Sequence, residues 1–251
     1  NLKVKEKIYR RSKFYISTPS KWLMEKVKRS VLKYSAIDYR VIPTGIDLSF
    51  FKSGNKDELK TSMNIPLKDK VILMIKSGFT SYKWDIPDNF FTVLDQALST
   101  KYKITILMIG SNQSSQNFNN IAFVNIPYAN NREKMRKYYQ IADLYIHPSK
   151  AENYSNAIME AQACGLPTIA YEVGGIPEQI IPLNKSSSFY SKKNKPTGVL
   201  VEQSNYDELL DRLVFILKNN ELREKLSTNA IQFAKEKFDF DFFTNSYIDW
   251  Y

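Results

Sequence analysis

Two glutamates separated by seven residues offer the clearest chemistry in this sequence. Glu152 stands in a polar run and Glu160 follows among small residues, both within the segment HPSKAENYSNAIMEAQACGLPT at 147–168. Ionised carboxylates accept paired hydrogen bonds from vicinal hydroxyls, which both a ribose and a hexose ring present. Two glutamates at this spacing are also commonly two solvated charges, so the surrounding residues must decide between a ligand site and an ordinary surface.

The residues around the glutamates predict a strand, a polar loop and a short helix. Apolar residues 144–147 predict a strand that ends at His147, and Gly165 stands where a helix commonly ends in a left-handed residue. Three residues are competent helix N-caps, namely Asn153, Ser155 and Asn156. Glu152 is therefore expected on the loop and Glu160 inside the helix. The helix N-terminus, with free N–H groups and the positive end of the helix dipole, could hold a phosphate.

Short apolar runs alternate with helical patterns along the rest of the chain, which is typical of a parallel sheet wrapped by crossover helices. The predicted strands are 14–17, 39–42, 71–75, 104–109, 122–125, 144–147, 168–171 and 198–201. Predicted helices include 20–33, 90–98, 135–142, one opened by a capping box at Ser204 and Asp207, and one around 222–233. The predicted fold class is α/β, a Rossmann-like doubly wound parallel sheet whose ligand binds at the carboxyl ends of the strands.

Three regions follow from this pattern. Residues 41–236 form one doubly wound unit that would bind the ligand. Residues 1–40 supply elements that do not fit inside it and are interpreted as the tail of a preceding domain. Residues 237–251 predict a C-terminal helix that packs back on that preceding domain. Because the first residue is Asn1, the chain is interpreted as a fragment of a longer protein.

Several motifs together resemble glycosyltransferase family 4, whose members have the GT-B fold. The resemblance rests on Ser-x-x-Glu at 149–152, Asn156 at the start of the helix, and Glu-Ala-x-Ala-Cys-Gly-x-Pro at 160–167. It continues through VGGIPE at 173–178 and, earlier, through IPTGID at 42–47, which is similar to the family's entry into its second domain. The segment TGVLV at 197–201 is similar to the strand that follows.

This resemblance implies roles for individual residues. Glu152 would contact hydroxyls of the transferred sugar, and Glu160 would hold the ribose of the nucleotide. Lys83 matches the family lysine that binds the donor diphosphate, where an ammonium would neutralise charge on the leaving group. Glu152 and Lys83 are accordingly the predicted catalytic residues. Gly78 stands where the family usually has an arginine, which puts the strength of diphosphate binding in doubt.

Six other positions are considered for the site. Ser155 and Asn156, at the predicted start of the helix, are assigned to donor binding. Gly174 and Gly175 either bring the backbone close to the phosphates or make a tight turn into Pro177. Tyr128 lies where the family places its nucleobase pocket, and an ordinary surface tyrosine is equally compatible. His147, the only histidine, is interpreted as a packed residue at the end of a strand.

The amino-acid composition limits which partners and cofactors are expected. The net charge is +10, but lysines are scattered along the whole chain, so neither a nucleic-acid site nor a dedicated basic patch is predicted. The basic stretches at 3–11 and 192–195 are compatible with contact with an anionic membrane surface. One histidine and one cysteine leave no ligand set for a metal, and no cofactor is predicted. The single cysteine fits a reducing compartment and a cytoplasmic location.

The resemblance therefore implies a retaining glycosyltransferase that moves a hexose from a nucleoside diphosphate sugar to a sugar or lipid-linked hydroxyl acceptor. The implied setting is cell-surface polysaccharide or lipopolysaccharide synthesis at the inner face of the cell membrane. Two alternatives remain open. One is a non-catalytic subunit that binds nucleotide sugars, and the other is a sugar-nucleotide epimerase on the same fold.

Overall fold

The computed structural model of the chain describes residues 2–75, 86–87, 89–98, 103–111, 115–127, 131–183 and 195–250. Within these residues the chain forms a seven-stranded sheet with helices on both faces, and a separate two-stranded sheet near the N-terminus. The α/β class and the doubly wound, mostly parallel sheet predicted from the sequence are therefore confirmed.

The strands, numbered along the chain, are β1 Phe14–Thr18, β2 Ala36–Val41, β3 Lys70–Ile75, β4 Ile104–Ile109, β5 Gln116–Phe118, β6 Ile121–Ile126, β7 Leu144–His147, β8 Thr168–Tyr171 and β9 Gly198–Val201. The large sheet has the order β5-β6-β4-β3-β7-β8-β9. Adjacent strands in this sheet pair in parallel, except β5 and β6, which pair antiparallel. The strand order reverses between β3 and β7, so the ligand crevice belongs at their carboxyl ends.

Burial on both faces explains why the central strands read as continuous apolar runs. All four residues of β7 and of β8 are buried, and so are four consecutive residues of β3. Parallel strands covered by helices on both sides require this composition. The prediction missed β5, a three-residue edge strand with the sequence QNF, because so short a segment carries no hydrophobic period.

The helices are α1 Leu2–Tyr9, α2 Lys21–Lys28, α3 Lys56–Ser62, α4 Phe90–Leu98, α5 Arg132–Ile141, α6 Asn156–Ala163, α7 Tyr206–Lys218, α8 Asn220–Lys237 and α9 Phe240–Ile248. The apolar faces of α3 to α8 form two clusters with the sheet, one on each side. The helix predicted at 20–33 is shorter than expected, because α2 ends at Lys28 and a separate 3-10 turn, Val31–Tyr34, follows.

The start of α7 also differs from the prediction. The capping residue is Asn205, whose side chain accepts a hydrogen bond from the backbone N–H of Glu208. Ser204 instead has a left-handed backbone with φ of +62°. The capping box predicted at Ser204 and Asp207 is therefore shifted by one residue, because asparagine is an equally good cap at the next position.

The C-terminal helix lies against the N-terminal segment. The hydroxyls of Tyr247 and Ser17 are 2.7 Å apart, and the indole N–H of Trp250 donates to Asp38 at 2.8 Å. Strands β1 and β2 pair with each other in parallel, outside the seven-stranded sheet. The assignment of residues 1–40 to a preceding domain stays a prediction. A search of the described helices for a long apolar segment able to cross a membrane found none.

Candidate active site

The segment that carries both glutamates begins where β7 ends. β7 lies in the middle of the sheet, next to the point where the strand order reverses, and the chain leaves it at Pro148. Glu152 lies on the loop that follows and Glu160 lies in α6, as the sequence indicates. Gly165 follows α6 with φ of +76°, which is the predicted helix end. Both carboxylates therefore belong to the crevice edge of the sheet.

The first turn of α6 is held by a glutamine that sequence reasoning did not identify. Ser155 occupies the N-cap position and is buried, but its side chain makes no capping hydrogen bond within the described structure. Instead, its backbone N–H donates to Oε1 of Gln179 at 2.8 Å, and its carbonyl accepts from Nε2 of Gln179 at 2.9 Å. Asn156 is the first helical residue and is exposed. The side chain of Gln179 thus fixes the start of the helix while Asn156 faces outward.

Glu152 is partly buried, and each of its carboxylate oxygens has a polar neighbour. Oε1 accepts a hydrogen bond from the backbone N–H of Asn153 at 3.0 Å, and Oε2 lies 3.6 Å from Nε2 of His147. Burial alone would raise the pKa of this carboxyl, but the contact with His147 and the Asn153 N–H outweigh it and lower the pKa below its ordinary value. Glu152 is therefore an ionised acceptor at neutral pH.

Gly174 and Gly175 form a turn that the loop carrying Glu152 packs against. Gly174 has φ of +59°, and a Cβ placed on it would lie 1.7 Å from the carbonyl oxygen of Glu152. A Cβ on Gly175 would lie 1.9 Å from the carbonyl oxygen of Asn153. The backbone N–H of Gly175 donates to the Glu152 carbonyl at 3.3 Å. The close approach therefore requires glycine at both positions, and their role in donor binding stays a prediction.

Glu160 has different surroundings. Its Oε2 accepts a hydrogen bond at 2.9 Å from the hydroxyl of Tyr139, a fully buried residue of α5. Burial raises the pKa of Glu160, and this effect exceeds the opposing influence of the Tyr139 hydrogen bond and of the positive charge on Arg132. Tyr139 holds one carboxylate oxygen on the buried side, so the carboxylate can still accept hydrogen bonds on its solvent side.

A cavity of about 780 Å³ opens in front of Glu160. It is lined by Glu160, Asn156 and Arg132, by residues 44–49 and 51 from the IPTGID region, and by residues 239–241 at the start of α9. The guanidinium of Arg132 lies over the rings of Phe50 and Phe51, at 4.9 and 5.4 Å. The cavity therefore combines four carboxylates, those of Asp47, Glu160, Asp239 and Asp241, with one cation and an exposed helix start. This lining suits a ligand that donates hydrogen bonds from several hydroxyls.

Two other predicted site residues lie outside the described residues, namely Lys83 and Tyr128, as does Gly78. Their assignments stay predictions. His147 is buried, as expected for a packed strand end. In the part of the chain that the structure describes, no group of three His, Cys, Asp or Glu side chains could hold a metal ion.

The N-terminal segment reaches this site directly. The hydroxyl of Ser20 donates to Oδ1 of Asn153 at 2.8 Å. The carboxylate of Glu178 accepts from the backbone N–H groups of Lys21 and Trp22, both at 2.9 Å, and so caps α2. Sequence reasoning missed both contacts because they join residues more than 130 positions apart. They place residues 20–22 beside the loop that carries Glu152.

Comparison with known proteins connects this architecture to one family. A family model described as glycosyl transferases group 1 matches residues 55–233. A D-inositol 3-phosphate glycosyltransferase from Segniliparus rotundus is 26% identical over 148 residues, which cover 55% of this chain and 32% of that protein. The chain spans about half or less of the length of the curated relatives that it matches.

Solved structures support the fold. Sucrose-phosphate synthase from Thermosynechococcus elongatus superposes with a TM-score of 0.74 at 20% identity, over 100% of this chain and 60% of that one. Anabaena HepE in complex with UDP-glucose gives a TM-score of 0.66 at 16% identity, over 99% of this chain and 66% of that one. At these identities the likeness shows a common fold and does not transfer substrates.

Proposed function

The chain belongs to the group 1 glycosyl transferases, and from this premise we propose that it forms the donor-binding part of a retaining glycosyltransferase. The donor would be a nucleoside diphosphate hexose, and the acceptor a hydroxyl of a sugar or a lipid-linked sugar. The observation that carries the proposal is the pair of carboxylates at the crevice edge of the sheet, one on each side of the first turn of α6.

The diphosphate would lie at the N-terminus of α6. The first turn of this helix follows a strand that ends at the crevice, and its backbone is fixed by Gln179 rather than covered by a capping side chain. A helix N-terminus attracts anions through its free N–H groups and its dipole. Lys83 would add a positive charge to the leaving group. Asn156, exposed at the first helical position, would line the same site.

The two glutamates would hold different parts of the donor. Glu160 faces the cavity that Arg132 also lines, so the ribose would bind to Glu160 and the nucleobase would extend into this cavity. Glu152, on the loop before the helix, would accept hydrogen bonds from hydroxyls of the hexose. Charged acceptors fix hydroxyls more firmly than neutral groups do. The hexose carbon that reacts would therefore be presented in a fixed orientation to the acceptor.

Transfer with retention requires the acceptor hydroxyl to attack from the face that the diphosphate leaves. The bond between the hexose C1 and the phosphate oxygen breaks, the bond from C1 to the acceptor oxygen forms, and the acceptor proton goes to the departing diphosphate. In this scheme the protein contributes positioning and electrostatic stabilisation. The family resemblance supports polysaccharide or lipopolysaccharide synthesis at a membrane face as the setting.

A direct assay tests this proposal. The intact protein is incubated with UDP-glucose, UDP-galactose and GDP-mannose in turn, together with simple sugars and lipid-linked sugars as acceptors. NMR follows the release of nucleoside diphosphate and the configuration at the anomeric carbon of the product. We expect consumption of at least one donor, with the α configuration kept in the product. A product of inverted configuration, or failure of the protein to bind any of these donors by calorimetry, would overturn the proposal.

A further inference from the structure

A row of three polar side chains runs from the buried sheet to the loop beneath the proposed hexose site. The hydroxyl of Tyr145 lies 2.7 Å from Nδ1 of His147, and Nε2 of His147 lies 3.6 Å from Oε2 of Glu152. Tyr145 is fully buried and His147 is 9% exposed. Tyr145 and His147 are two positions apart on β7, so their side chains leave the same face of the strand.

The tautomer of His147 follows from its two neighbours. If Nδ1 carried the proton, the lone pair of Nε2 would face the negative charge of Glu152, and the Tyr145 hydroxyl would lose its acceptor. If Tyr145 donates to Nδ1 instead, the proton on Nε2 faces the carboxylate, and both contacts are favourable. Burial and the charges of Glu152 and Glu160 raise the pKa of Tyr145 well above its ordinary value, so the tyrosine keeps its proton and remains a donor.

The outer nitrogen is directed toward the site. Nε2 is buried and has no hydrogen-bond partner among the described residues, because the 3.6 Å separation from Glu152 is within ion-pair distance but too long for a hydrogen bond. A buried N–H without an acceptor is unfavourable, and Glu152 is the carboxylate facing it. A small movement of the loop would close this contact. The other oxygen, Oε1, already accepts from the Asn153 N–H.

We propose that His147 is a positioning residue for Glu152, held by Tyr145 in the tautomer whose Nε2 proton faces the carboxylate. His147 acts through Glu152 and does not itself touch the donor. Between them, Nε2 of His147 and the N–H of Asn153 would fix the plane of the carboxylate, so that its remaining lone pairs face the hexose hydroxyls. The inference rests on the proposed role of Glu152 in holding the transferred sugar.

Nitrogen NMR tests the tautomer without any assay of activity. The intact protein is labelled with ¹⁵N-histidine at neutral pH, and the signal of His147 is assigned by its loss in the His147→Gln variant. We expect an unprotonated Nδ1 and a protonated Nε2. In Tyr145→Phe, which keeps the ring but removes the donor, we expect the preference for this tautomer to weaken. A protonated Nδ1 in the wild type, with or without a proton on Nε2, would overturn the proposal.

Kinetics of matched variants then test the positioning. The amide nitrogen of glutamine can take the place of Nε2, whereas that of asparagine lies nearer to Nδ1. We expect His147→Gln to keep kcat within about threefold of wild type and His147→Asn to lower kcat about tenfold, because a tenfold change is the size expected of one charged contact. The affinity for nucleoside diphosphate should be unchanged in both variants. Equal losses in both variants, or parallel losses of kcat and affinity, would assign His147 a purely structural role.

The two readouts separate the two ideas. NMR could find the expected tautomer while kcat stays unchanged in the His147 variants and in Glu152→Gln. In that case the contact exists, but the proposed role of Glu152 fails. If Glu152→Gln lowers kcat while His147→Asn does not, the role of Glu152 stands and the positioning role of His147 fails. Melting temperatures of all variants are measured alongside, and the wild-type tautomer still tests the contact between His147 and Glu152 if His147→Asn fails to fold.

Discussion

The loop that carries Glu152 and the helix that carries Glu160 give the same type of side chain opposite surroundings. Glu152 accepts from a backbone N–H and faces His147, and its pKa is lowered in spite of burial. Glu160 accepts from the hydroxyl of Tyr139 in a more apolar setting, and its pKa is raised because burial prevails. The difference lies in what contacts each carboxylate: the His147 imidazole and a backbone N–H in one case, and the Tyr139 hydroxyl in the other.

This comparison shows that the two positions are suited to different tasks. The Gly174 turn and Ser20 hold the loop that carries Glu152, and Gln179 holds the start of the helix that carries Glu160. In the proposed site Glu152 contacts the transferred hexose and Glu160 the ribose. We therefore expect Glu152 to affect the chemical step and Glu160 to affect nucleotide binding.

The largest effect is expected for Glu152→Gln. The amide removes the negative charge that would hold the hexose hydroxyls, so kcat of the intact protein should fall about a hundredfold, close to 2.7 kcal/mol of transition-state stabilisation. Steady-state kinetics on the preferred donor would measure it. Glu221→Gln is the matched control, because Glu221 is exposed on α8 and pairs only with Lys225 in the described structure. Unchanged turnover of Glu152→Gln would remove this residue from the site.

A smaller effect is expected for Gly174→Ala. The added Cβ would lie 1.7 Å from the Glu152 carbonyl oxygen at a residue with positive φ, so the turn and the loop must separate. Strain of this kind costs about 1–3 kcal/mol, and turnover should fall with it because Glu152 is displaced. Chemical denaturation and kinetics would measure the two changes.

Gly54→Ala provides the control for this variant. The three atoms nearest to its Cβ would all belong to the end of the Gln140 side chain, and Gly54 is exposed. Its effect on unfolding should stay within about 0.5 kcal/mol. A Gly174→Ala protein as stable and active as Gly54→Ala would show that the turn does not support the loop, and the contrast between loop and helix would lose its basis.

The smallest effect concerns stability and pH. A lowered pKa means that ionised Glu152 stabilises the fold above its unfolded pKa, and that this stabilisation is lost as pH falls through the folded pKa. A raised pKa means that ionised Glu160 destabilises the fold at neutral pH, and that this penalty disappears as pH falls through the raised value. Glutamine removes each effect.

The melting temperature of Glu152→Gln relative to wild type should therefore decrease as pH rises from about 4 to about 7, and that of Glu160→Gln should increase over the same range. Thermal melts of the ligand-free proteins at several pH values would measure both slopes. Slopes of the same sign would contradict the opposite surroundings that the structure gives to the two carboxylates.

The central strands were predictable because burial on both faces demands continuous apolar runs, and β4, β7 and β8 begin and end where the sequence indicates, as does the edge strand β9. The three-residue β5 was not predictable, since its pairing with β6 depends on the neighbouring strand and not on its own composition. The N-cap of α7 was predicted one residue too early, because several adjacent polar residues could serve equally well.

Within the site, the succession of a strand, a polar run and a helical pattern in the sequence predicted that Glu152 lies on a loop and Glu160 in a helix. The contact between Tyr139 and Glu160 joins two helices, and that between Gln179 and Ser155 joins two turns, so no local pattern indicates either. The pairing of Tyr145 with His147 is different. Alternation along a strand places residues i and i+2 on one face, and this signal was available once β7 had been predicted.

The most direct test of the division between the two glutamates is a calorimetric titration of the intact wild type, Glu152→Gln and Glu160→Gln with the same nucleoside diphosphate. The ligand is whichever of UDP, GDP and ADP the wild type binds most tightly. One charge-assisted hydrogen bond contributes about 1.5–3 kcal/mol, so Glu160→Gln should bind about ten- to a hundredfold more weakly, while Glu152→Gln should bind like wild type. Equal losses in the two variants, or a loss confined to Glu152→Gln, would contradict the account.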